Sequence, residues 1–262
     1  MPERETVEPF GDFDFDLARA VLEQLVEAFN ALPAGALDPP TLSRMKKGQG
    51  VYQLFLGGEL HYVGKAGNLP QRLSRHYREL SARLNLDVST LCFKALYIHQ
   101  NWTTWTTENA LIRHFSPLTP SLWNTSGFGS NDPGHNREDT AEDDTFNNDY
   151  PINPDITCIW IGRRTAKAWD ILSELKENLP YLLRFHKVTN KFKRQIDHEA
   201  QNQLKLTDIT IPRDGMTVRE VMIEIARQLG AGWQATQFKG RLILYKERVE
   251  YNYGNVLYRA GV

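Results

Sequence analysis

Cysteine is scarce in this 262-residue chain: only Cys92 and Cys158 occur, and neither has a CxxC or CxxH neighbour. That excludes a disulfide scaffold and a zinc finger, and suggests two core thiols in a reducing cytoplasm. No run approaches the roughly 18 apolar residues of a membrane span. The N-terminus, Met1-Pro2-Glu3-Arg4-Glu5, lacks the basic-then-apolar order of a signal peptide. Glycine and proline, at 18 and 13, are too ordinary for collagen-like or low-complexity architecture. A chain this long, compactly folded, buries about 72–75% of its unfolded surface and needs no staples.

Excess charge of one sign is also missing, since the net charge is −1. The charges are nonetheless segregated. Residues 1–38 carry nine acids against two bases, whereas residues 44–83 carry eight bases against Glu59 and Glu79. Residues 137–149 turn acidic again, and 184–194 add Arg184, Lys187, Lys191, Lys193 and Arg194. A near-neutral total therefore leaves room for a locally basic face, although such runs are often only solvated surface.

Periodicity sets the element order. Leu17, Val21, Leu25, Phe29 and Leu32 have helical spacing, ended by Pro33 and a connector through Pro39-Pro40. Two apolar-aromatic runs around Gly57-Gly58 predict a hairpin from Gly50 to Ala66. Asn68 is placed to cap a helix over 69–84, and 91–98 reads as a buried strand. Thr103 to Phe115 reads as a helix, followed by a Gly/Asn/Asp-rich loop and an acidic surface linker to Tyr150. A strand at 156–162 and a helix over 165–186 come next, then a polar helix or loop over 187–205. Thr217-x-x-Glu220 is a capping box, and Lys239-Gly240 centres a second hairpin. Together these give an α/β (α+β) class: a small antiparallel or mixed sheet flanked by helices, with a helical N-terminal arm (1–47), a core (48–186) and a C-terminal α+β extension (187–262).

Unusual residues concentrate around the first hairpin. Tyr52 and Tyr62 lie in its strands, Lys65 follows, and Arg72 and His76 stand four apart on one face of the next helix. Two strand tyrosines beside a solvated basic helix would account for these alone. Glu108, however, shares helical spacing with Leu111, Ile112 and Phe115, so it aims a carboxylate toward the core, where carboxylates are rare unless paired or metal-bound. A first-turn acid favoured by the helix dipole is the plainer alternative. An inward Glu, several cations and two phenols point to phosphate chemistry with a hard cation.

Gly50-Val51-Tyr52 and Tyr62-Val63-Gly64, followed at family-like spacing by Lys65, Arg72, His76, Glu108 and Asn124, resemble the GIY-YIG nucleases over about residues 48–128. His76, where many members carry a third tyrosine, and the GFGSNDPG segment are similar to a branch of type II restriction endonucleases that cut GC-rich palindromes. The short hairpin connection and long C-terminal tail set this chain apart from that branch. The resemblance implies Mg²⁺-dependent hydrolysis of a double-stranded DNA phosphodiester by a homodimer, with a companion DNA methyltransferase protecting the host. It implies Glu108 as metal ligand, Arg72 as the fork on the phosphate, Tyr62 orienting water or phosphate, and Asn124 bracing the site. Either Tyr52 or His76 takes the proton of the attacking water. Holding a phenol of pKa about 10 ionised at pH 7 costs about 4 kcal/mol, part of which Lys65 could offset. A repair or homing nuclease, or an inactive DNA-binding protein, remains an alternative.

The hairpin makes a sharper demand. A plain two-residue loop pairs Tyr52 with Val63 and puts the phenols on opposite faces. A shared site requires a longer loop or a bulge, with Gly58 at positive φ.

Overall fold

The computed structural model describes residues 17–98, 111–115, 123–126, 145–186 and 198–261. Helix α1 (Leu17–Ala31) leads to a short strand β1 (Gly35–Ala36) and a one-turn helix α2 (Pro39–Leu42). Both short elements lie in what the sequence marks only as a connector. Asp38 caps α2 by accepting a hydrogen bond from the Thr41 amide, and Pro39 starts it where no amide donor is needed.

Strands β2 (Gly50–Leu56), β3 (Glu59–Ala66) and β4 (Leu91–Tyr97) complete an antiparallel sheet in the order β1-β4-β2-β3. Helix α3 (Leu69–Ser81), capped by Asn68, covers one face, with Leu69, Leu73 and Leu80 against Tyr52 and Leu54. It stops short of the expected residue 84, and Leu84 is exposed. The other face packs Val51 and Val63 against Phe29 of α1 and Leu111 of α4 (residues 111–115). Lys94 of β4 donates to the Phe29 carbonyl at the end of α1, tying that helix to the sheet. The expected helix from Thr103 is described only over 111–115; its earlier residues, like 1–16 and 127–144, lie outside the described residues.

The hairpin meets its demand through a bulge. Gly57 and Gly58 have φ of 59° and 88°, the geometry of a two-residue turn that only glycine adopts freely. Leu56 pairs with Glu59 and Phe55 with Leu60, but Leu54 pairs with Tyr62, leaving His61 as the extra residue. Beyond the bulge Tyr52 pairs with Gly64. The one-residue shift moves Tyr62 onto the face of Tyr52.

Helices α5 (Trp123–Ser126) and α6 (Thr145–Asp149) follow. The acidic stretch before Tyr150 does not end as surface linker: Phe146 and Asn147 are buried. The remaining elements are β5 (Arg164–Lys167), α7 (Ala168–Asn178), β6 (Leu182–Phe185), α8 (His198–Leu206), β7 (Asp208–Ile211), α9 (Val218–Leu229), β8 (Trp233–Gln237), β9 (Arg241–Lys246) and β10 (Asn255–Arg259). They form a sheet β10-β8-β9-β6, in which β6 runs parallel to β9, and a ribbon β5-β7. Thr217 and Glu220 make the capping box of α9, and β8-β9 is the second hairpin.

Two expectations fail here. Residues 156–162 form turns with one isolated bridge, Thr157 to Thr217, and Ile159 is 87% exposed. The apolar run there is spent on separate contacts: Cys158 and Ile161 point into the core while Ile159 points out. The expected 165–186 helix is a strand, a helix and a second strand, because Pro180 ends α7 and the alternating burial of 182–185 suits a sheet. Cys158 is buried, and burial pushes its thiol up to about 12; Cys92 is only half-buried.

The core from Ile152 to Leu244 is one cluster, joined by Ala82 at the end of α3. Arg83 fastens the joint. Its Nη1 donates to Asn147 Oδ1 (2.7 Å) and to the Tyr150 carbonyl (3.1 Å), with the guanidinium 5.0 Å from the Phe146 ring centre. Asn147 in turn lies against Gly240 in the β8-β9 turn, where a Cβ would come within 2.8 Å. The C-terminal sheet is therefore packed directly onto the hairpin body.

Candidate active site

Two glycines make room for the site. A Cβ on Gly50 would lie 2.0 Å from the Leu96 carbonyl oxygen, so only glycine lets β2 approach β4 this closely. A Cβ on Gly64 would lie 2.6 Å from Tyr52 Cζ, Tyr52 Oη and Tyr62 Cε1. The phenols thus occupy the space an ordinary side chain would take. Their ring centres are 5.9 Å apart, and His76 sits 5.5 Å from Tyr52 and 5.4 Å from Tyr62. Three aromatic rings from β2, β3 and α3 share one pocket.

The hydroxyl of Tyr52 is hydrogen-bonded to His76 Nε2 at 2.7 Å, with both side chains almost wholly buried. On the other side of the imidazole, Glu79 Oε2 is 3.5 Å from Nδ1, while Glu79 Oε1 accepts from Arg75 Nε at 2.8 Å. Burial holds His76 below the ordinary imidazole range; Glu79 opposes that, and Arg72 and Arg75 push with it. Burial alone would raise Glu79, but its contacts with His76 and Arg75 outweigh it and keep the carboxyl below the usual range. At neutral pH the pair is a neutral imidazole beside a carboxylate.

Arg72 is exposed and lines an open groove with Asn68, Gln71, Arg75 and Arg78. His76, one turn further along, is buried, so the shared helix face runs from groove to core. Lys65 pairs with Val51, and strand alternation puts it with Val63 on the opposite face from the phenols. The Tyr52 oxygen has His76 as a hydrogen-bond partner. Glu108 lies outside the described residues. Asn124 accepts from the Val63 amide (2.9 Å) and donates to the Val63 carbonyl (2.7 Å), satisfying the free edge of β3 as another strand would. Asn124→Ala removes both bonds and is expected to cost about 1–2 kcal/mol. A thermal melt should fall by about 2–8 °C.

Glu79 is the residue that sequence reading passed over as part of a solvated basic helix. Its spacing, three residues after His76 and four after Arg75, was the available signal. Among the described residues no three His, Cys, Asp or Glu side chains converge as a metal site. Glu79, held between Arg75 and His76, is not offered to a cation. Likewise, no helix among the described residues is long and apolar enough to cross a membrane.

Residues 47–147 match the family model of the Eco29kI GIY-YIG domain, which spans the hairpin, α3, Glu108 and Asn124. Comparison with curated proteins returned no match.

Proposed function

We propose, from the match of residues 47–147 to the Eco29kI GIY-YIG domain, that the chain is a type II restriction endonuclease. Its substrate is double-stranded DNA at a specific, GC-rich palindromic site, cut by phosphodiester hydrolysis. The observation that carries this reading is the buried Tyr52–His76 hydrogen bond beside Tyr62, on the helix whose preceding turn carries Arg72 into an open groove.

The chain's own side chains divide the work. Arg72 presents a fixed two-pronged fork to the phosphate oxygens that gain charge in the transition state. Tyr52 accepts the proton of the attacking water while its own proton moves to His76, so no free phenolate need be stored. Tyr62 orients the water or phosphate, Lys65 adds positive charge on the far face, and Asn124 braces β3. A single Mg²⁺ would be held by Glu108 with oxygen ligands, and when bound it would polarise the scissile phosphate. One such site cuts one strand, so a homodimer would present a site to each strand of a palindrome. A cytoplasmic companion methyltransferase would protect the host's own sites.

Plasmid DNA incubated with the protein and Mg²⁺ should give discrete double-strand fragments. Glu108→Gln should abolish cutting while retaining DNA binding, because it removes charge but little volume. Nicks that depend on DNA structure would favour a repair or homing nuclease. Retardation without cleavage by the wild type would favour a binding protein, and wild-type cutting by Glu108→Gln would remove Glu108 as the metal ligand.

A further inference from the structure

A neutral histidine can carry its proton on either ring nitrogen, and only one choice leaves Nε2 free to accept from Tyr52. The geometry points to Glu79 as the positioning residue that makes this choice, an inference that rests on the nuclease reading for its catalytic consequence. Glu79 Oε2 is 3.5 Å from His76 Nδ1, its side chain is 11% exposed, and the Arg75 guanidinium grips the other oxygen. An ionised carboxylate can only accept hydrogen bonds. Facing it, Nδ1 must carry the proton, since an Nδ1 lone pair would point at negative charge. Nε2 is then the acceptor, and the 2.7 Å bond runs from the Tyr52 hydroxyl to His76.

The order of donors sets the direction of proton flow. The proton of the attacking water passes to Tyr52 Oη as the phenol's own proton passes to His76 Nε2. The water oxygen bonds to phosphorus, the bond from phosphorus to the leaving strand oxygen breaks, and that oxygen takes a proton from solvent. The imidazolium so formed lies against the Glu79 carboxylate. The same arrangement with the proton on Nε2 would have His76 donating to Tyr52, and the phenol could not pass its proton on. The other groups that face the imidazole are Tyr52 from β2, Tyr62 from β3, and Arg72 and Arg75 from α3. Among the charged ones, Glu79 alone favours imidazolium.

Two readouts on the full chain test this. Nitrogen NMR of histidine-labelled protein without DNA, with the His76 signals assigned by their loss in His76→Asn, should show Nδ1 protonated and Nε2 bare. In Glu79→Gln, whose amide can donate or accept, the two tautomers should mix. Single-turnover cleavage by Glu79→Gln should fall roughly 100-fold, the lower range for a positioned proton-transfer group. Because Glu79 raises the His76 pKa, its loss should also move the acid limb of the rate profile to lower pH. A wild-type His76 protonated on Nε2 would overturn the proposal. So would Glu79→Gln that cuts more slowly with the limb and tautomer unchanged, the mark of a merely structural role. Wild-type protein that cuts no DNA would overturn the nuclease reading, and the tautomer alone would then decide the role of Glu79.

Discussion

Tyr52→Phe is expected to lower single-turnover DNA cleavage by about 10³-fold while leaving DNA binding unchanged. The ring would keep its place between Tyr62 and His76, since Tyr52 is 1% exposed and in contact with both rings. Only the hydroxyl goes, and with it the 2.7 Å bond to His76. Nε2 is then buried beside a ring edge that cannot donate, which costs about 1–3 kcal/mol of stability. The chemistry suffers more, because water loses the oxygen that takes its proton. Gel retardation and a thermal melt run beside the cleavage assay separate these effects. Cutting within tenfold of wild type would show that Tyr52 is not the proton acceptor.

The parts of this site that could be read from sequence are those set by local rules. Asn68 and Thr217 cap helices because their side chains reach the amides two or three residues on, and both caps are present. The pairing of Tyr52 with Tyr62 on one face follows from the period of two along a strand plus one extra residue. Which residue bulges could not be read, because the ring of His61 lies 4.8 Å from that of Trp123, a partner far along the chain. Lys65 is close to Tyr62 in sequence, yet strand alternation puts its position on the face of Val63.

The second half of the chain was harder because long-range contacts override local patterns there. Residues 182–185 are strand-forming only because β9 offers a parallel edge, and the 156–162 run turns because Met216 and Thr217 claim its backbone. Arg83 ends the basic run of residues 44–83. It is 6% exposed, since Asn147 and the Tyr150 carbonyl accept its hydrogen bonds and Phe146 covers its plane. No spacing in the sequence links residues 83 and 147. Glu79 differs, because its partners Arg75 and His76 are local; it was hidden by the number of cations around it.

Gly64→Ala should disable the site with the fold intact, and Gly50→Ala should disable the fold. At Gly64 the added methyl meets Tyr52 Cζ, Tyr52 Oη and Tyr62 Cε1, each at 2.6 Å. These are side-chain atoms on two torsions, so both rings can swing aside at an overpacking cost of about 1–3 kcal/mol. The swing need be only about 1 Å to break the bond to His76, and misplacement on that scale costs about 10²-fold in rate. At Gly50 the methyl meets a backbone oxygen, Leu96 O at 2.0 Å, in the middle of the β2-β4 pairing. No torsion relieves that clash, so the strands must part and the central sheet with them. Circular dichroism and melting should therefore report a folded Gly64→Ala, its midpoint lowered by about 2–12 °C, and a largely unfolded or insoluble Gly50→Ala. Cleavage should fall about 10²-fold in Gly64→Ala and be lost in Gly50→Ala. Gly64→Ala cutting at the wild-type rate would mean that the spacing of the two phenols is immaterial to the reaction, and the shared-pocket mechanism would fall with it.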